Sequence, residues 1–153
     1  MCARDLIQPY ASVGVDSDAI QAVRLLVQQR MPGLLVVDPD AQPRAIAPAD
    51  HLVGALVPAY VQEDRGLAHV IDEPHGDHLC RALLGRQIAD CLPLGVPFLP
   101  TTGPDSTAME IAELMEHTHS PLVAVVERPR HGRRRLLGVI TATYLLDRLL
   151  QAV

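Results

Sequence analysis

The sequence predicts an α/β fold in which two pseudo-symmetric strand-helix-strand-strand-helix units form one compact module. Three observations predict it. Residues 16–38 and 105–127 align without a gap at an offset of 89, placing Asp-Ser, Leu, Pro and Val-Val at matching intervals. Within each copy a stripe of apolar residues at helical spacing gives way to a short continuous apolar run, the pattern of a helix followed by a buried strand. The chain has 153 residues, enough for one core or two small cores sharing an interface and too few for two ordinary independent domains.

Taking the elements in order, Asp16 and Asp105 are expected as N-caps, because a side-chain oxygen can satisfy free N–H groups of the first turn. The first helix should bury Ala19, Ile20, Val23, Leu26 and Val27; the second, Ala108, Met109, Ala112 and Met115. Pro32 and Pro121 end these helices, since the residue before a proline is pushed out of the α region. Residues 34–37 and 122–126 then read as strands covered on both faces. In copy one a turn over residues 38–43 leads to a strand over 44–47 and a helix opened by Pro48. In copy two the turn is longer and basic, and a strand over 136–141 leads to a helix over 142–151. This second half aligns at an offset of 94, which gives copy two five extra hairpin residues. The expected organisation is residues 1–57 as the first unit, 58–85 as a helical connector and 86–153 as the second. The connector mixes apolar and acidic residues and is expected to form two short helices broken near Pro74-His75-Gly76. Residues 89–93 echo residues 4–9, so that each copy has its own entry segment.

The order of elements, and the closing stretch Gly138-Val139-Ile140-Thr141-Ala142-Thr143-Tyr144-Leu145-Leu146, resemble the CBS domain, named for cystathionine β-synthase. Two such domains in tandem, a Bateman module, would cover nearly the whole chain. The resemblance implies a regulatory module with two clefts that bind an adenosyl ligand of the AMP, ATP or S-adenosylmethionine class. It also implies assembly as a homodimer and control of a separately encoded transporter or enzyme. The alternative is a ligand-free structural or interaction module docking on such a partner.

The family pattern is Gly, two apolar residues, Ser/Thr, two further residues and Asp. Its hydroxyl stands at a helix start that suits phosphate, and its carboxylate suits the paired hydroxyls of ribose. At the offset of 94, copy one keeps an acid, Asp50, with Arg44 at the Gly position and Ala47 at the hydroxyl position. Copy two keeps Gly138 and Thr141 and has Tyr144 in place of the acid. The expected ligand residues are Gly138, Thr141, Thr143 and Tyr144, with Leu122 against the base and Asp50 in the other cleft. The competing reading makes Thr141 an N-cap and Asp50 a favourable charge in a first helical turn.

Other chemistry is weaker. Residues 128–135 carry Arg128, Arg130, His131, Arg133, Arg134 and Arg135, read as a solvated loop tip or as a docking patch for acidic partners or a phosphate tail. His69, Asp72, Glu73, His75, Asp77 and His78 match no metal motif, and His117 and His119 sit on near-opposite sides of a helix end, so no metal is expected. Cys80 and Cys91 lack an activating motif and read as small core residues. Ser17 and Ser106 lack a nucleophile elbow. No catalytic residue and no required cofactor is assigned, and a non-enzymatic role is expected. The net charge of -5 and the 3% aromatic content argue against nucleic acid. A charged pair at Arg4-Asp5 and the lack of a long apolar run predict neither secretion nor membrane insertion, hence a cytoplasmic protein.

Overall fold

A computed structural model describes residues 1–57, 59–70, 79–92 and 99–153. The first unit runs α1 (Ala3–Leu6), β1 (Ser12–Gly14), α2 (Ala19–Gln28), β2 (Gly33–Val37), β3 (Pro43–Pro48) and α3 (Ala49–Gly54). The connector holds α4 (Ala59–Glu63) and 3-10 helices at Arg65–His69 and Leu79–Leu83; the expected break near Pro74 lies outside the described residues. A further 3-10 helix, Ile88–Cys91, precedes β4 (Thr101–Thr102), α5 (Ala108–Thr118), β5 (Leu122–Glu127), β6 (Arg135–Thr141) and α6 (Ala142–Leu150).

The two units build sheets of the same order, β1-β2-β3 and β4-β5-β6, each with a parallel and an antiparallel pair. Strand parity explains the layering. Leu34 and Val36 face one helix-covered core with Ala19, Ala22 and Leu52, while Val123 and Val125 face the other with Ile111, Met115 and Leu145. The alternate residues, Leu35 and Ile46 from one sheet and Leu122, Ala124 and Val139 from the other, meet in a third core between the sheets. Continuous apolar runs are therefore required, because both faces of β2 and β5 are covered.

Local details repeat as well. Arg30 and His119 both adopt φ 50° just past the ends of α2 and α5. There Met31 N–H donates to Leu26 O at 2.9 Å and Ser120 N–H to Met115 O at 3.2 Å, the hydrogen bond of a Schellman close. Pro32 and Pro121 follow as the helix stops.

Four expectations change. The N-caps are Asp18, accepting from Gln21 N–H, and Thr107, accepting from Glu110 N–H, rather than Asp16 and Asp105. Asp105 instead pairs with Arg4, and the Gly14 N–H donates to Ser17 Oγ. The buried helix positions include Ala22 and Ile111, whereas Val27 and Met109 are 65% and 77% exposed; they lie off the stripe formed by 19, 22, 23, 26 and by 108, 111, 112, 115. Pro48 is the N-cap of α3, not its first helical residue.

The fourth change is one of register. Val36 pairs with Ala45 and Val125 with Gly138, and both ladders shift at the next step, where Val37 meets Pro43 and Val126 meets Leu136. Arg44 and Leu137 are thus matching bulge residues, and the second halves align at an offset of 93, with four extra hairpin residues instead of five. Ala45 then matches Gly138, Pro48 matches Thr141, Asp50 matches Thr143 and His51 matches Tyr144.

Candidate functional site

The entry segments cross over. Ala3 N–H donates to Ser106 O and Gln8 exchanges hydrogen bonds with Val139, so the first entry segment packs on the second unit. Ile88 N–H donates to Ser17 O and Ala89 N–H to Val15 O, so the second packs on the first. Reciprocal bridges Cys2 to Thr107 and Asp18 to Gln87 mark the twofold character of the exchange.

This crossing explains Gly138. A Cβ there would lie 2.4 Å from Ile7 Cγ2 and 2.8 Å from Gln8 O. The close backbone approach that the glycine permits is thus made by the crossing entry segment.

Beside it lies a cleft of about 550 Å³ formed where the units meet. Gln8, Pro9, Tyr10 and Ala11 line it from the entry segment, residues 29–32 from the end of α2, and Thr141, Thr143, Tyr144 and Asp147 from the start of α6. Thr141 caps α6: its Oγ1 accepts from Tyr144 N–H at 3.2 Å and donates to Gln8 Oε1 at 3.2 Å. Tyr10 spans from the cleft into the core between the sheets, donating its hydroxyl to Gly33 O at 2.6 Å. Burial pushes that phenol up to about 12.

Of the expected ligand residues, Thr141, Thr143 and Tyr144 line this cleft. Leu122 does not; it is fully buried in the core between the sheets, because its parity turns it away from the surface. Gly138 serves the entry segment as described. Asp50 lies elsewhere, in a cleft of about 760 Å³ with His51 and Gly54 of α3, Val61, Gln62, Arg65 and Ala68 of the connector, and Cys91. In the ladder register the family's acid position falls on His51, so neither copy has a carboxylate there.

Sequence reasoning missed Gln8, Tyr10, Arg30 and Asp147 as cleft residues. Asp147 was within reach: it follows Tyr144 by three residues, one helical turn along the same face. It brings a carboxylate to the cleft, hydrogen-bonded to Gln151 Nε2 at 2.9 Å. Arg30 brings the cation.

Among the described residues, no nucleophile candidate donates a hydrogen bond to a basic side chain. Cys91 is buried, which raises its thiol pKa and disfavours the thiolate. Ser17 accepts from Gly14 N–H, and Ser106 Oγ accepts from Thr102 Oγ1 at 2.6 Å. The Cys80 side chain and the acidic and histidine residues from Asp72 to His78 lie outside the described residues; among the described residues no group of three or more metal-ligating side chains occurs. No helix among them is long and apolar enough to cross a membrane.

Known proteins match this architecture. The CBS domain family model matches residues 96–151. The crystal structure of a CBS domain-containing protein of unknown function from Kribbella flavida is 39% identical, with a TM-score of 0.78 over 98% of this chain and 99% of that one. The CBS-pair protein CBSX2 from Arabidopsis thaliana is 18% identical, with a TM-score of 0.75 over 99% of this chain and 95% of its own. A structure of CBSX2 in complex with AMP is 17% identical, with a TM-score of 0.69 over 99% and 97%. No curated protein matches the chain.

Proposed function

Because the chain belongs to the CBS-domain proteins, as a tandem pair of CBS domains, we propose that it is a non-enzymatic cytoplasmic regulatory module that binds an adenosyl nucleotide and controls a partner protein in trans. The observation that carries this reading is the cleft between the two units, where Arg30, Asp147, Thr143 and the rings of Tyr10 and Tyr144 share one space. Those are the groups a nucleoside monophosphate needs: a guanidinium for phosphate, a carboxylate for vicinal hydroxyls and aromatic faces for a base. Asp147 supplies, one turn later, the acid missing at Tyr144. AMP binding in the CBSX2 complex, a protein of the same fold, supports the ligand class.

Calorimetric titration of AMP, ATP and S-adenosylmethionine tests the proposal. Asp147→Asn should weaken AMP by about tenfold or more, since a charge-assisted hydrogen bond is worth roughly 1.5–3 kcal/mol. Asp50→Ala should change nothing, because Asp50 lines the other cleft. If Asp50→Ala is the damaging variant, the ligand occupies the connector-side cleft. A wild-type protein that binds none of the three overturns the proposal. The ligand-free interaction module then stands, favoured by the fact that the Thr141 and Tyr10 hydroxyls already have protein partners.

A further inference from the structure

The Arg-rich hairpin between β5 and β6 is not a free loop tip. Arg133 forms an ion pair with Asp40 at 2.8 Å, and Gln42 Nε2 donates to Arg134 O at 2.7 Å, so the hairpin of the second unit is docked on the acidic turn of the first. That turn satisfies its own charges: Asp38 accepts from the Asp40 and Gln42 amides and pairs with Arg44. These hydrogen bonds, the Gln42 amide first, hold the Asp38 carboxyl below the usual carboxylate range.

Arg134, which borders that acidic turn, also borders a separate hollow of about 310 Å³ with a different character. Arg128 and Arg134, opposite each other just beyond the Glu127–Arg135 pair of the ladder, border it with Thr101, Thr102, Gly103 and Pro104. No acidic residue lines it. Of the acids adjacent to it in sequence, Asp105 pairs with Arg4 and Glu127 stands opposite Arg135 in the ladder outside the hollow, and neither Arg128 nor Arg134 has a carboxylate partner among the described residues. The Thr101 side chain makes no hydrogen bond among those residues either, and a Cβ on Gly103 would meet nothing within 4 Å, which leaves that backbone open to approach.

We propose that this hollow is a second, independent site for a phosphoryl oxyanion, gripped by Arg128 and Arg134 with the Thr101 hydroxyl as a further donor. Two guanidinium forks, one just past the end of β5 and one just before the start of β6, match the several acceptor oxygens of phosphate in a way that a single lysine-like charge does not. The site is separate from the cleft at Thr141, because Thr141 pairs with Leu122 at the start of β5 and Arg128 follows its end. Six residues of strand at roughly 3.3 Å each put about 20 Å between them, beyond the reach of one mononucleotide.

The test is a titration of the isotope-labelled full chain with inorganic phosphate at constant ionic strength, read by amide chemical shifts, with AMP in a parallel arm. Saturable shifts at Thr101, Thr102, Gly103 and Arg128 are expected. Arg128→Ala and Arg134→Ala should each weaken phosphate by tenfold or more, while Arg130→Ala, outside the hollow, should stay within twofold. Spectra of the free variants confirm that each is folded. If AMP moves the same amides, its phosphate is the source; if AMP moves only Thr143 and Tyr144, the source is free phosphate or another phosphorylated molecule. Shifts that do not saturate, or an Arg130→Ala loss equal to that of Arg128→Ala, would mean a diffuse positive field and no site.

Discussion

Tyr10 and Thr141 show how single hydroxyls tie the cleft to the fold. Burial raises the Tyr10 phenol to about 12 against about 10 in an unfolded chain, so its contribution to stability is intact below about pH 10 and is lost as pH rises through 12. Tyr10→Phe should therefore remove the latest phase of phenolate absorbance in an alkaline titration and flatten the loss of stability above pH 10. An unchanged late phase would assign it to another tyrosine. Thr141 serves as helix cap before it serves any ligand. Thr141→Ala should cost about 1 kcal/mol in urea unfolding, the usual worth of an N-cap, and Thr141→Ser should restore most of it. Equal stability of all three proteins would show that the hydroxyl does not cap α6. Any ligand affinity lost in Thr141→Ala has to be read against that structural cost.

At the scale of elements, Gly138 is the position least tolerant of change. Gly138→Ala forces a methyl against Ile7 and Gln8 O, backbone and side chain of a segment that is itself buried at Ala3 and Leu6. Overpacking of this kind costs about 1–3 kcal/mol. The expected signature is faster amide exchange over residues 2–8 together with a lower urea midpoint; exchange that stays slow there would mean that the entry segment tolerates the shift. Strands and helices were legible because their periodicities are local: Val36-Val37 and Val125-Val126 do stand on equivalent central strands. The N-cap was also legible at Thr107, whose Thr-x-x-Glu spacing to Glu110 is a capping box, yet Asp105 two residues earlier competes for the role. The register of β3 and β6 was not legible. A bulge leaves one residue unpaired, here Arg44 and Leu137, and nothing in their side chains announces it, so copy one's motif slid by a residue and Asp50 took a place that belongs to His51. The crossing of the entry segments is likewise a contact across some hundred residues, invisible to local pattern, and with it went Gln8 and Tyr10 as cleft residues.

For the whole molecule, twofold resemblance between the units leaves matching apolar positions uncovered. In the ladder register Val53 of α3 corresponds to Leu146 of α6, and they are 61% and 60% exposed. Leu150, four residues on along the same face of α6, is 73% exposed. Exposed large side chains at equivalent places on both units form the kind of surface that a second copy covers by an isologous contact, each unit presenting the same patch. On that ground we propose that the protein is a homodimer joined through α3 and α6. The double variant Leu146→Glu/Leu150→Glu puts four carboxylates into such an interface while disturbing no buried contact in one chain, so its fold should survive with stability changed by about 0.5 kcal/mol or less per site in the monomer. Sedimentation at micromolar concentration should give twice the chain mass of 16.6 kDa for the wild type and the single-chain mass for the variant. A wild type that sediments as a monomer rejects the dimer. A variant that remains dimeric with an unaltered circular dichroism spectrum rejects this face, and points to association through another surface.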